Sequence, residues 1–115
     1  MPGGTSSTLT GVLKGRGDYG IKFEKEAYEG LFSVIARTHQ AAFEQALDIL
    51  TNYVSVTPAK PLPGKIKELT AGYKGIYQIT LPGSYRIWYT IDESEKLVYV
   101  EYCGNHPEWS GHRAR

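Results

Sequence analysis

The stretch IYQITLPGSYRIWYTIDESEKLVYVEYC, residues 76–103, decides the fold. Residues 76–81 and 84–91 alternate apolar and polar side chains, the period of a half-buried strand. Between them stands Pro82-Gly83, which favours a tight type II turn with glycine at the position needing positive φ. Asp92-Glu-Ser-Glu95 turns the chain again, and residues 96–103 give a third strand. Three consecutive strands joined by short turns make an antiparallel meander.

Upstream, the period changes. TPAKPLPGK, residues 57–65, has prolines at 58, 61 and 63 and must be an exposed connection. Before it, Phe43, Ala46, Leu47, Leu50 and Val54 recur at helical spacing, as do Tyr28, Leu31, Phe32 and Ile35. The polar break at 38–40 separates two amphipathic helices, and Glu24 and Glu26 lie where the dipole of the first favours acids. Residues 19–23 alternate as a short strand. The predicted fold is therefore α+β: an N-terminal strand, an antiparallel helical hairpin, then a three-stranded antiparallel meander, all in one sheet with helices on one face.

The 115 residues suit one domain, predicted over 19–115. Residues 1–18 are rich in Gly, Ser and Thr and read as a flexible arm with Leu9, Val12 and Leu13 as its apolar anchors. A single cysteine excludes an internal disulfide, no apolar run approaches the ~20 residues of a membrane span, and no signal-peptide core is present, so a reducing cytoplasm is expected. A net charge of +1 argues against coating nucleic acid by bulk electrostatics. Locally the balance differs, because residues 58–91 carry five basic side chains (Lys60, Lys65, Lys67, Lys74, Arg86) and one acid, Glu68.

Alternation sorts the sheet faces. Tyr77, Ile79, Leu81, Tyr85, Ile87, Tyr89, Ile91, Val98, Val100 and Tyr102 are expected beneath the helices. The other phase holds Gln78, Thr80, Arg86, Trp88, Thr90, Leu97, Tyr99, Glu101 and Cys103. Two readings fit this second face. It is a solvated surface on which Arg86 pairs with Glu101 across strands, or a site where Arg86 grips phosphate while Trp88 and Tyr99 stack on unpaired bases.

Other motifs are weaker. GRGDYG, residues 15–20, fits a phosphate-binding glycine pattern but lacks a preceding strand and a following helix, and Arg16-Gly17-Asp18 would mediate adhesion only in a secreted protein. Cys103, His106 and His112 give three metal ligands at irregular spacing, too few for a zinc site, so no metal is expected. His39, between the helices, reads as a surface or capping residue. GNHPEW, residues 104–109, is either a plain turn, stiff exit and core-edge plug, or a reactive strand end.

The element order, the L-x-x-G…Y-x-I pattern at 69–79, YRIWYTID at 85–92 and the strand ending in GNH resemble the RelE/ParE toxin superfamily over about residues 19–109. The strand end is similar to that of the HigB-type and YafQ-type branches, which cut mRNA in the ribosomal decoding site without metal or cofactor and are neutralised by a cognate antitoxin. The resemblance implies an endoribonuclease whose partners are antitoxin, ribosome and mRNA. On it, Arg86 would bind the scissile phosphate, His106 would transfer a proton and Trp109 would stack on a base, while the second proton carrier is left among His112, Glu108, Tyr99 and a ribosomal group. Lys65, Lys67 and Lys74, with Gln78, Trp88 and Tyr99, would contact RNA. RelE itself carries lysines where this chain has Gln78 and Thr80, so the histidine-dependent chemistry is the better match. ParE-like relatives keep the fold yet inhibit DNA gyrase, which leaves a non-enzymatic docking inhibitor as the alternative.

Overall fold

The computed structural model describes residues 9–105. Strand β1 (Leu9–Leu13) pairs antiparallel with β2 (Gly20–Glu24). Helix α1 occupies residues 25–38, with wide i→i+5 turns over Gly30–Ile35, and α2 occupies residues 40–54, with such turns over Leu50–Val54. Then follow β3 (Ile66–Glu68), β4 (Tyr77–Thr80), β5 (Tyr85–Asp92) and β6 (Leu97–Asn105). The strands form one sheet in the order β1-β2-β6-β5-β4-β3. All neighbours are antiparallel except β2 and β6, which run parallel because the chain between them crosses the sheet face as helices.

The predicted strand, helical hairpin and meander are all present. Two strands were not foreseen. The first, β1, lies inside the stretch expected to be a flexible arm. Its sequence LTGVL has no clean alternation, but backbone pairing with β2 requires none, and Leu13 packs against the core. The second, β3, is a three-residue edge strand whose Ile66 is buried opposite Ile79.

Between sheet and helices lies the core. Ile21 and Phe23 of β2, Ile79 of β4, Ile87 and Tyr89 of β5, and Val98 and Val100 of β6 meet Leu31, Ile35, Ala42, Ala46 and Leu50 of the helices. The helical periodicity has a direct physical meaning here: each helix buries one stripe and leaves the rest to water. Tyr89 is fully buried, and its hydroxyl is satisfied by donating to Pro58 O at 2.8 Å. A hydrogen bond lost there would leave a polar group stranded in apolar surroundings.

One local irregularity changes which residues face the core. Tyr89 pairs with Val100 but Trp88 pairs with Tyr102, so Glu101 is an extra residue, a bulge in β6. Beyond it the alternation inverts. Cys103 turns into the core and Tyr102 turns to the opposite face, the reverse of the expected phases.

The GRGDYG stretch closes the free end of α2. Arg16 N donates to Thr51 O at 2.9 Å, Tyr19 N to Ser55 O at 3.0 Å, and Gly17 N to Ser55 Oγ at 3.1 Å. The first two bonds go to carbonyls at the end of the helix, where partners within it run out, and the third to a side-chain hydroxyl. Gly17 lies so close to the Ser55 carbonyl that a β-carbon would overlap it. Close packing, rather than phosphate binding, accounts for that glycine.

Candidate functional site

The sheet face turned away from the helices is built on β4, β5 and β6. Lys67, Gln78, Trp88 and Tyr102 fall in one row across the strands, and Thr80, Arg86 and Gly104 in the next. Arg86 is half-buried, and its Nη1 donates to Tyr85 O at 2.8 Å. That bond uses one of five guanidinium N–H donors.

The row beside it is a closed floor. Trp88 Nε1 donates to Gln78 Oε1 at 2.9 Å, and the two side chains are 4% and 5% exposed. Leu69, Ile76 and Trp88 form a second apolar cluster, with Tyr73 and Tyr102 against it at ring separations of 5.6 and 6.2 Å. Gln78 and Trp88 are therefore not presented to a ligand as the sequence reading expects. They support the surface from within, because an indole buried on this face requires a hydrogen-bond acceptor and Gln78 provides it.

Tyr102 reaches along the strand over Gly104, and its hydroxyl donates to Asn105 O at 2.7 Å. The end of β6 is thereby fastened beside Arg86, since Tyr85 pairs with Asn105 and Arg86 with Gly104. The expected partnership of Arg86 with Glu101 is not what the register provides. Glu101 sits at the bulge and accepts from Thr90 Oγ1 at 2.9 Å, while Arg86 lies opposite Gly104. His106 follows Asn105 directly in the sequence. Together with Trp109 and His112, it lies outside the described residues.

The three lysines part company. Lys67 is exposed opposite Gln78, on the same face as Arg86. Lys74 is exposed in the loop between β3 and β4, where it lines a cavity of about 280 Å³ with Glu68, Leu69 and Thr70. Lys65, also exposed, reaches toward α2 and donates to Gln45 Oε1 at 2.9 Å. Tyr99 is half-buried and lies between Thr90 of β5 and Lys22 of β2. The sequence reading missed Lys22, although its place between the core residues Ile21 and Phe23 was the available signal.

Two candidates with reactive side chains have structural roles. Cys103 is buried against the core, and burial pushes its thiol well above the usual range. His39 caps α2, with Nδ1 accepting from Ala42 N at 3.2 Å, as the capping reading expects. Among the described residues no helix is long and apolar enough to cross a membrane.

The fold has close counterparts among solved structures. A YoeB/ParE toxin from Agrobacterium tumefaciens superposes with a TM-score of 0.64 at 21% identity, covering 76% of this chain and 98% of that one. The YoeB-YefM complex from Staphylococcus aureus contains a chain that superposes with a TM-score of 0.61 at 19% identity, covering 77% and 98%. The YoeB dimer from the same organism gives 0.59 at 18%, covering 78% and 99%. No family model and no curated protein matches the sequence. The fold matches that of these YoeB-type toxin structures, and the likeness to the HigB and YafQ branches rests on the strand-end motif alone.

Proposed function

We propose that this chain is the toxin of a type II toxin–antitoxin pair and that it cleaves mRNA on the ribosome. The observation that carries the reading is the position of Arg86: on the outer face, opposite Gly104, beside the strand end that leads into His106. Solved proteins of the same fold include a heterotetrameric toxin–antitoxin complex, which supports a cognate antitoxin as this chain's partner. The cytoplasm is where such a protein would meet ribosomes.

RNA can be cut by its own 2′-hydroxyl, which attacks the adjacent phosphate, expels the 5′-oxygen and leaves a 2′,3′-cyclic phosphate. The protein must accept the 2′ proton, protonate the leaving oxygen and stabilise the charge that gathers on phosphorus. Arg86 fills the last role, since its planar guanidinium grips phosphate oxygens in pairs. His106 fills one of the proton roles, because an imidazole exchanges protons near neutrality. The second falls to His112, Glu108, Tyr99 or a group on the ribosome. Lys67 and Lys74 hold the RNA backbone, Tyr99 and Trp109 offer aromatic faces to bases, and none of these steps calls on a metal or cofactor.

The test is a translation extract with a defined mRNA, in which RNA ends are mapped for the wild type, Arg86→Ala and His106→Ala. Translation-dependent cuts with cyclic phosphate ends, lost in both variants, are the expected result. Intact mRNA in the presence of folded wild-type protein would overturn the reading and favour a docking inhibitor such as a gyrase-directed one.

A further inference from the structure

At one end of the sheet the junction of α1 and α2 meets the loop between β4 and β5. Thr38 Oγ1 donates its proton to Val34 O at 2.8 Å, so the Tyr85 hydroxyl, 2.9 Å away, is the donor in their contact. The His39 ring stands edge-on to Tyr85 at 6.0 Å and packs against Gly83, where a β-carbon would collide with the imidazole. Two consecutive loop residues, Gly83 at φ 76° and Ser84 at φ 67°, have left-handed backbone, which a serine adopts only when its surroundings hold it there. The Tyr85 carbonyl then accepts two hydrogen bonds. One comes from Leu81 N at 3.0 Å and closes the loop; the other comes from Arg86 Nη1 at 2.8 Å.

We propose that Tyr85 is a positioning residue for Arg86: its hydroxyl, tethered to Thr38 on the helical side of the sheet, fixes the peptide whose carbonyl orients the guanidinium on the other side. Tyr85 and Arg86 are consecutive in a strand, so their side chains point to opposite faces. A tether on the helical face therefore acts on the outer face through the backbone alone. With the tether cut, the Tyr85 carbonyl keeps its bond from Leu81 N but the strained loop that carries both can shift, and the acceptor that sets the direction of the guanidinium shifts with it. The consequence for RNA cleavage rests on Arg86 being the phosphate-binding group. The orientation of the side chain does not.

The experiment compares the full chain with Tyr85→Phe, Thr38→Val and Thr38→Ser. It measures kcat and KM for mRNA cleavage in the translation extract, the melting midpoint, and the NMR cross-peak of the Arg86 Nε–H group. Thr38 is exposed, so its substitution to valine leaves the fold intact even if Tyr85→Phe lowers stability. Expected are a fall in kcat of at least about tenfold in Tyr85→Phe and Thr38→Val, near-wild-type behaviour in Thr38→Ser, and a shifted, broadened Arg86 cross-peak in the first two only. An unmoved cross-peak, or a change confined to KM, overturns the proposal. If the wild type does not cut mRNA, the functional reading falls by itself, and the cross-peak alone decides whether Tyr85 positions Arg86.

Discussion

The Trp88 indole donates to the Gln78 side-chain carbonyl across β4 and β5, and this pair sits inside the sheet face on which RNA contacts were expected. A buried hydrogen bond contributes only about 0.5–1.5 kcal/mol net, but a buried polar group left without a partner is costlier still. Gln78→Leu should therefore destabilise the protein by about 1–3 kcal/mol, seen as a lowered melting midpoint. Cleavage per folded molecule should stay at the wild-type level. A variant that melts normally but loses activity would place Gln78 at the RNA instead.

Lys65 and Lys67 are two residues apart and should behave differently. Lys67→Ala removes a cation from the Arg86 face, so binding of a single-stranded RNA should weaken, with the salt dependence shallower by about 0.7 in slope. Lys65→Ala breaks a contact to Gln45 on α2 and should leave that slope unchanged. Filter-binding titrations at several salt concentrations distinguish them. Equal slopes for the two variants would count against the outer face as the RNA surface.

Ser55 is fully buried; its hydroxyl donates to Thr51 O at 2.7 Å and accepts from Gly17 N. Ser55→Ala leaves the Gly17 amide unpartnered, at a cost of about 1–3 kcal/mol. Gly17→Val should cost a similar amount or more by forcing the segment off the helix. Urea denaturation measures both, and the two losses should not add, since either change undoes the same contact. Full additivity would mean that the stretch does not act as one clasp.

Alkaline titration should show several tyrosines resisting ionisation. Burial raises the Tyr89, Tyr77 and Tyr102 hydroxyls, and the bond to Glu93 raises Tyr19. The folded chain keeps these protons above pH ~10, where an unfolded tyrosine releases its own. The unfolded state then binds fewer protons, so stability is full below pH ~10 and falls as pH rises beyond it. Phenolate absorbance should appear in two stages, the second coinciding with loss of circular dichroism. Cys103 should react with a thiol reagent only in that second stage, its thiol being buried and raised as well.

The core could be read from alternation because Ile87 and Tyr89 on β5, and Val98 and Val100 on β6, sit one strand period apart, and Ile79 keeps the inward phase of β4. Tyr102 and Cys103 could not, since a count in twos carries straight through the bulge at Glu101 and assigns both to the wrong face. Leu9, Val12 and Leu13 do not keep the period of a strand, and β1 exists because β2 offers a backbone edge, which no local pattern records. Arg86 was placed correctly from its strand phase. Its coupling to Thr38 was hidden, because it depends on a contact spanning 47 residues between a helix end and a strand start. The inward Gln78–Trp88 pair was hidden for a similar reason: a glutamine and a tryptophan on a mixed face look like surface until the loop carrying Leu69, Tyr73 and Ile76 folds over them.

The place of β6 in the sheet also governs how the protein can be made. It is the last of the six strands to leave a ribosome, yet it is the one that joins β1 and β2 to the other three. Without it, β2 and β5 would each present an edge with no neighbour, the kind of edge that is open to strand addition. Insertion of β6 closes both edges, by a short hairpin to β5 and by a long-range parallel pairing to β2, and pairings of the second kind are the ones that slow folding. Arg86 and the strand end beside it come together only in that event, so an unfinished copy lacks the assembled site, and the finished one acquires sheet and site at once.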